Sequence, residues 1–213
     1  MNGVGRTRGK ICGVRDVETA LVCARAGADA VGRVFAQGSP RLVTPERAAE
    51  IARALPPFVT AVGLFVDTPE DEVVRVSGAC RLGMVQLHGG ESPEVCARVG
   101  EATGLPVMRA VRFDERTIRE TIDRYSGSCS ALLVDGSSGG LGERFDWTAL
   151  APYAETSAVP IVVAGGLSPE NVGECVRMTG AYGVDVSSGV ESARGVKDHA
   201  LIELFVCNAL DAR

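Results

Sequence analysis

The sequence has few of the residues that build metal or disulfide sites. It contains two histidines, His88 and His199, and no CxxC pair. The cysteines are odd in number and widely spaced, which argues against both a zinc site and a disulfide framework. They are Cys12, Cys23, Cys80, Cys96, Cys129, Cys175 and Cys207. We therefore expect no metal, and we expect most cysteines to be small buried side chains in a reducing compartment.

Long apolar runs and charged clusters are also missing. No run is long enough to cross a membrane, and residues 1–10 are polar and basic, so we expect no signal peptide. The net charge of −5 is well mixed along the chain, so we expect no nucleic-acid partner. The cytoplasm is the expected location. No Gly-x-Gly-x-x-Gly sequence follows the first apolar run, and we expect no organic cofactor.

Short apolar runs alternate with helical patterns along the chain, and no linker divides it. The runs are rich in Val, Ile and Leu without clean alternation, which is typical of parallel strands buried on both faces. The predicted strands are Gly9–Cys12, Ala30–Phe35, Thr60–Val66, Met84–His88, Val107–Val111, Ala131–Asp135, Pro160–Ala164 and Gly183–Ser187. Eight strand–helix units predict an α/β fold, a single (β/α)₈ TIM barrel over residues 1–213. A doubly wound open sheet is the alternative.

Repeated boundary signals support this interpretation. Four segments combine an N-cap residue, a first-turn proline and an early acid, which together start a helix. They are Thr44-Pro45-Glu46, Thr68-Pro69-Glu70, Ser92-Pro93-Glu94 and Ser168-Pro169-Glu170. At the opposite boundary, Gly27, Gly83 and Gly180 lie between a helix and the next strand. We expect each of these glycines to adopt a positive φ as a helix C-cap.

The ends of the strands should carry the chemistry, because the active site of a (β/α)₈ barrel lies at the carboxyl ends. Cys12 is the one cysteine at a predicted strand end, and Asp135 ends an otherwise apolar strand. A charge there is costly unless it is paired or functional. A thiol base and a carboxylic acid facing each other across the mouth suit proton transfer on a sugar. His88 is a third candidate, with a hydrogen-bonding or packing role equally open.

Glycine-rich loops follow the last two predicted strands. Gly165 and Gly166 follow the seventh strand, and Ser187, Ser188 and Gly189 end or follow the eighth. Backbone N–H groups at such helix starts bind a phosphate dianion without a basic side chain. A glycine pair alone often only makes a tight turn, but the last two barrel loops are the usual phosphate site of this fold. We therefore predict a small phosphorylated sugar as the substrate.

Six motifs in order resemble those of the phosphoribosylanthranilate isomerase family over nearly the whole chain. They are Lys10-Ile11-Cys12-Gly13, Ser39-Pro40-Arg41, Gln86-Leu87-His88-Gly89, Phe145-Asp146-Trp147, Ala164-Gly165-Gly166-Leu167 and Asp185-Val186-Ser187-Ser188-Gly189-Val190-Glu191. The resemblance implies a cofactor-free barrel enzyme of tryptophan biosynthesis that performs an Amadori rearrangement. It implies that Asp135 is the general acid at the furanose oxygen and that Cys12 is the general base at C2. Arg41 would then bind the anthranilate carboxylate.

Some positions depart from the family pattern, among them Arg33, Gly90 and Leu141, where an apolar residue, an acid and a threonine are usual. We expect Arg33 and Leu141 to affect the loop over the site or the substrate range, or Arg33 to be a surface or subunit contact. Monomer and homodimer both stay open.

Two other functions compete with this one. The isomerase of histidine biosynthesis performs the same rearrangement on a larger substrate with two phosphates, but it is expected to use two aspartates where this chain has Cys12 on strand one. A phosphate-binding barrel without catalysis is the other alternative. The intact pair of Cys12 and Asp135 argues against it.

Overall fold

Eight parallel strands close into a barrel in the computed structural model, which describes residues 6–136 and 144–212. The strands are β1 (Arg8–Cys12), β2 (Ala30–Val34), β3 (Thr60–Phe65), β4 (Met84–Leu87), β5 (Val107–Arg112), β6 (Ala131–Asp135), β7 (Ile161–Val163) and β8 (Gly183–Val186). The helices are α1 (Val17–Ala26), α2 (Pro45–Ala54), α3 (Glu70–Ala79), α4 (Pro93–Thr103), α5 (Ile118–Tyr125), α6 (Trp147–Thr156), α7 (Val172–Thr179) and α8 (His199–Leu210). A hairpin of β9 (Glu191–Ala193) and β10 (Val196–Lys197) precedes α8.

Closure of the sheet decides between the two predicted architectures. Each strand pairs in parallel with its neighbours in chain order, and β1 also pairs with β8. The (β/α)₈ barrel is therefore confirmed, and the open doubly wound sheet is wrong. Every predicted strand is present, and none of its ends differs from the prediction by more than one residue.

Two apolar layers lie on the two faces of the barrel. Inside it, Val62, Met108, Leu133 and Val162 pack with small alanines. Outside it, the larger core joins the strands to the helices. Successive side chains of a strand point to opposite faces, so both faces of each strand are buried. This is why the strands appear in the sequence as continuous apolar runs.

Two of the four predicted helix starts are confirmed. The hydroxyl of Thr44 accepts from the N–H of Arg47 and begins α2, and Ser92 caps α4 through the N–H of Val95. The prediction is wrong at Thr68, whose hydroxyl donates to the carbonyl of Val66, so that α3 begins without a side-chain cap.

The fourth predicted start, at Ser168, is also wrong. The side chain of Asn171 accepts from the N–H of Ser168 at 2.9 Å and donates to the carbonyl of Gly166 at 2.8 Å. These two bonds hold residues 168–171 in a turn against the β7 loop, and α7 begins only at Val172.

Two of the three predicted glycine C-caps are confirmed, and the third is wrong. Gly27 and Gly180 adopt left-handed conformations, with φ of 96° and 57°, as predicted. Gly83 does not, because Arg81 takes the left-handed position with φ of 49°. The N–H of Gly83 instead donates to the carbonyl of Ala61 at 2.8 Å. Gly83 therefore belongs to the start of β4 rather than to the end of α3.

The cysteines are all free thiols, as expected, and five of the seven are buried. Burial raises the pKa of Cys23 and of Cys175 to about 12, so these thiols stay protonated inside the helix layer. Cys12 is the one cysteine at the carboxyl end of a strand. In the described part of the chain, no helix is long and apolar enough to cross a membrane.

Arg33 lies fully buried on the helix side of β2, so the expectation of a surface or subunit contact is wrong. An effect on the loop over the site or on the substrate range stays a prediction. Its Nη1 donates to the carbonyl of Ala48 in α2 at 2.9 Å. Its Nε and Nη2 have no hydrogen-bond partner among the described residues. Burial lowers the pKa of Arg33 to about 10, because the charged form loses its hydration.

Replacing Arg33 by methionine should stabilise the fold. Each buried donor without a partner costs about 1–3 kcal/mol, and an apolar side chain of similar length removes this cost. We expect the free energy of unfolding, measured by urea denaturation, to rise by about 1–3 kcal/mol. The control Arg47→Met, on the exposed side of α2, should change it by less than about 0.5 kcal/mol. A destabilised Arg33→Met variant would show that partners already offset the burial of this guanidinium.

Candidate active site

A cavity of about 710 Å³ opens at the carboxyl ends of the strands. This volume suits a small molecule. Five of the predicted site residues line it together, namely Cys12, Arg41, His88, Ser187 and Ser188. The described lining of this cavity does not include Asp135, Gly165, Gly166 or Gly189. Leu141 lies outside the described residues, and the expectation placed on it stays a prediction.

Cys12 ends β1 on the inner face of the barrel. Its side chain packs with Val34 and Leu64, and 4% of the residue is exposed. Burial raises the pKa of its thiol, and the nearby ammonium of Lys10 only partly opposes this effect. The thiol is therefore protonated at neutral pH, and a base at this position has to be generated rather than being present at rest.

A buried ion pair lies directly behind Cys12. The Nζ of Lys10 is 2.8 Å from Oδ1 of Asp185, and both side chains are less than one-tenth exposed. The two residues are register partners on the neighbouring strands β1 and β8. Burial alone would lower the pKa of Lys10, but its interactions with Asp185 and Cys12 together raise that pKa. The sequence analysis did not predict that Asp185 pairs with Lys10, although a lysine and an aspartate inside two apolar strands were a visible signal.

Asp135 ends β6 and is 5% exposed. Its Oδ2 lies 4.0 Å from Nε2 of His88. The Nδ1 of His88 lies 3.3 Å from the side-chain nitrogen of Gln86, and Nε2 is the ring nitrogen nearest to Asp135. Burial lowers the pKa of His88, so the ring is neutral at pH 7. The geometry favours the hydrogen-bonding role over packing alone.

Arg41 is already held by an acid of the chain. Its Nε and Nη2 donate to the two carboxylate oxygens of Glu191 at 2.7 and 2.9 Å. The same carboxylate accepts from Nζ of Lys197 and from the N–H of Gly195, each at 2.9 Å. Gly13 leaves room for Arg41, since an added Cβ would lie 2.5 Å from its Cδ. The roles of Glu191 and Lys197 were missed from the sequence.

Glu191→Gln should make the chain less sensitive to acid. Burial alone would raise the pKa of Glu191, but the hydrogen bonds from Arg41, Gly195 and Lys197 lower it from 4.5 to about 2. Its stabilising contribution is therefore complete above the unfolded value and is lost as the pH falls toward 2. Urea unfolding at pH 7 and pH 3 should show a smaller loss of stability in the variant than in the wild type.

The matched control for this comparison is Glu101→Gln, on the exposed surface of α4. It should keep the wild-type loss of stability between the two pH values. If Glu191→Gln lost as much as the wild type, the carboxylate would not be the group that titrates.

The two glycine-rich loops lie against each other. Gly165 and Gly166 have φ of 85° and 62°, a conformation that favours glycine. A Cβ on Gly189 would overlap the carbonyl of Leu167, so close packing of the loops requires a glycine there. A short 3₁₀ turn begins at Ser188, and the first N–H groups of such a turn lack intrahelical partners. This arrangement can receive an anion.

Ser187 has a structural task in this loop. Its hydroxyl donates to the carbonyl of Cys12 at 3.1 Å, and its own carbonyl accepts from Nζ of Lys197 at 2.8 Å. The first bond ties the ends of β1 and β8 together, and the second ties the end of β8 to β10.

Gly90 lies outside the cavity lining, and its N–H donates to Oδ1 of Asp67 at 2.6 Å.

Within the described ranges, no group of three or more His, Cys, Asp and Glu side chains could hold a metal ion.

A closed eight-strand parallel barrel with a cavity at the carboxyl ends of its strands defines the TIM-barrel class of enzymes. The family model described as N-(5'-phosphoribosyl)anthranilate (PRA) isomerase matches residues 9–208. The chain belongs to this family of isomerases.

Known relatives agree with this assignment. The chain is 47% identical over 207 residues to the N-(5'-phosphoribosyl)anthranilate isomerase of Trichlorobacter lovleyi, covering 95% of this chain and 98% of the relative. The crystal structure of phosphoribosyl anthranilate isomerase from Thermotoga maritima superposes with a TM-score of 0.87 at 39% identity, covering 95% and 98% of the two chains. A second structure of such an isomerase, in complex with reduced 1-(o-carboxyphenylamino)-1-deoxyribulose 5-phosphate, has a TM-score of 0.85 at 38% identity and the same coverage.

Proposed function

We propose that this chain converts N-(5-phosphoribosyl)anthranilate into 1-(2-carboxyphenylamino)-1-deoxyribulose 5-phosphate in tryptophan biosynthesis. The single observation that carries the proposal is family membership over residues 9–208. The cavity at the barrel mouth, with Cys12 in its lining, supports it. So does the relative solved with a reduced form of the ketose phosphate.

Asp135 is the proposed general acid. The carboxylic acid delivers its proton to the furanose ring oxygen, the C1–O bond breaks, and the nitrogen lone pair forms a protonated Schiff base. Burial of Asp135 supports this role, because water competes less for the proton in an enclosed site. A proton on Nε2 of His88 would face Asp135 and stabilise the carboxylate that remains after the transfer.

Cys12 is the proposed general base. The thiol first gives up its proton to water. The protonated Schiff base makes the proton on C2 more acidic, and the thiolate then removes that proton to give an enolamine. Protonation at C1 and loss of the hydroxyl proton at C2 then give the ketone. The rearrangement consists of proton transfers, which is why we expect no metal and no organic cofactor.

Arg41 is the proposed partner of the anthranilate carboxylate. Its bonds to Glu191 use Nε and Nη2, so the substrate would be received by Nη1. Glu191 and Lys197 would then hold the guanidinium in place before the substrate arrives.

Loss of phosphoribosylanthranilate fluorescence on adding the purified chain tests this function. The competing substrate is the aminoaldose of histidine biosynthesis, which carries two phosphates. We expect turnover of phosphoribosylanthranilate, unchanged by EDTA. Turnover of the bis-phosphate alone would favour the histidine enzyme, and turnover of neither by folded protein would favour a barrel without catalysis.

The substrate phosphate should bind mainly through backbone N–H groups of the β7 and β8 loops. Gly166→Ala strains a position with φ of 62° and should raise KM about tenfold or more, since a loss of about 1.4 kcal/mol is tenfold in affinity. Ser188→Ala should raise KM less, because its side chain is not the main contact. The control Gly104→Ala carries a similar φ of 66° in open space far from the site and should leave KM unchanged. A larger effect at Ser188 than at Gly166 would contradict backbone binding.

A further inference from the structure

The barrel interior contains two charges that the proposed reaction does not use. Lys10 and Asp185 form their ion pair among apolar strands, and each residue is less than one-tenth exposed. A buried pair of this kind is often no more stabilising than apolar side chains of the same size. The stability of the fold therefore does not explain why two charged residues lie at this position. The residues next to them offer another explanation.

Cys12 is the neighbour nearest to the mouth. Lys10 and Cys12 are two residues apart on β1, so both side chains point into the barrel. A Cβ built on Gly32 would lie 2.9 Å from Sγ of Cys12 and 3.2 Å from Cε of Lys10, so these two atoms are no more than about 6 Å apart. Gly32 leaves open the space in which the thiol and the lysine approach each other.

We propose that Lys10 and Asp185 are positioning residues for Cys12. The ammonium of Lys10 favours the thiolate form of Cys12, and the carboxylate of Asp185 limits that effect. This inference rests on the proposed role of Cys12 as the base. The ammonium is close enough to stabilise a thiolate when it forms. Asp185 holds the lysine in place, and it also repels the thiolate.

Other charged groups around Cys12 also affect the pKa of its thiol. The pKa of the thiol is raised chiefly by burial, lowered by Lys10, raised by Asp185 and lowered by Lys197. The titratable and charged groups inside the barrel and at its mouth near Cys12 are Lys10 on β1, Arg41 after β2, His88 after β4, Asp135 on β6, Asp185 on β8, Glu191 on β9 and Lys197 on β10. Lys10 and Asp185 act on the thiol with opposite signs, which makes their effects separable.

The test is the pH dependence of Cys12 alkylation by iodoacetamide, followed on its own peptide by mass spectrometry. Lys10→Met should move the profile of Cys12 to higher pH by at least about one unit, the usual effect of losing an opposite charge at this distance. Asp185→Asn should move it to lower pH, because the ammonium is no longer offset. The exposed Cys207 on α8 is the internal control, and its profile should not move.

The double variant Lys10→Met/Asp185→Asn covers the case in which a single variant fails to fold, because it leaves no unpaired charge in the interior. Its profile should lie above that of the wild type and below that of Lys10→Met, since Lys10 affects Cys12 more strongly than Asp185 does. Shifts of the same sign in the two folded single variants, or a wild-type profile in the double variant, would overturn the proposal. A purely structural role would give no shifts of opposite sign.

Alkylation does not depend on turnover, so this test separates the inference from the proposed function. The expected shifts without isomerase activity would support the effect of Lys10 and Asp185 on Cys12 and refute the proposed function. Isomerase activity without the shifts would support the proposed function and refute this inference. In the active chain, the acid limb of the kcat profile should move in the same direction as alkylation in each variant.

Discussion

Cys12→Ser should lower the turnover of phosphoribosylanthranilate by at least about 10²-fold, the usual contribution of a general base. A serine hydroxyl is a far weaker acid than a thiol, so it does not supply a base at neutral pH. The two side chains are nearly the same size, and serine should keep the contacts with Val34 and Leu64. We therefore expect kcat to fall and KM to change little in steady-state kinetics.

The control is Cys207→Ser, which alters the exposed cysteine of α8. Its turnover should equal that of the wild type, and the circular dichroism spectra of both variants should overlay. If Cys12→Ser kept more than about a tenth of the wild-type turnover, Cys12 would not be the base.

Asp135→Asn should lower turnover by a similar factor, at least about 10²-fold. The amide has the shape of the carboxylic acid but cannot deliver a proton to the furanose oxygen, so ring opening should become rate-limiting. Substrate affinity should be largely kept, because the buried position at the end of β6 is filled in the same way. Rapid mixing should show substrate binding without formation of the Schiff base.

Asp123→Asn, on the exposed side of α5, is the matched control and should have wild-type kinetics. Fast ring opening in Asp135→Asn would assign the acid to another group, with His88 as the first alternative because its Nε2 lies 4.0 Å from Asp135.

The strands could be predicted almost completely because burial on both faces leaves a mark in the sequence. The run Ala131–Asp135 is apolar up to its last residue, and its bounds in the structure are those predicted. Helix boundaries were less predictable, because they depend on competition between local hydrogen bonds. Asn171 takes the N–H of Ser168, and Arg81 takes the left-handed position expected of Gly83. Neither outcome follows from the identity of the residue alone.

The site was predictable where one residue at a strand end was enough. The rule that barrel sites lie at the carboxyl ends brought Cys12, Arg41 and His88 to one cavity. This rule did not predict the pair of Lys10 and Asp185. That pair depends on the register between β1 and β8, the two strands that close the barrel.

Arg33 was misplaced for a related reason. Counting residues from Gly32, which faces Cys12 inside the barrel, would have placed Arg33 on the opposite, helix-side face of β2. Its charge suggested a surface contact instead, and no local feature of the sequence shows that α2 covers it.

The most direct test of the central claim is the decay of phosphoribosylanthranilate fluorescence with the purified wild-type chain and its Cys12→Ser and Asp135→Asn variants in parallel. We expect complete decay with the wild type, with the carboxyphenylamino ketose phosphate as the product by mass spectrometry. Each variant should be slower by at least about 10²-fold. Folded wild-type protein that leaves the fluorescence unchanged, or variants that match its rate, would contradict the account.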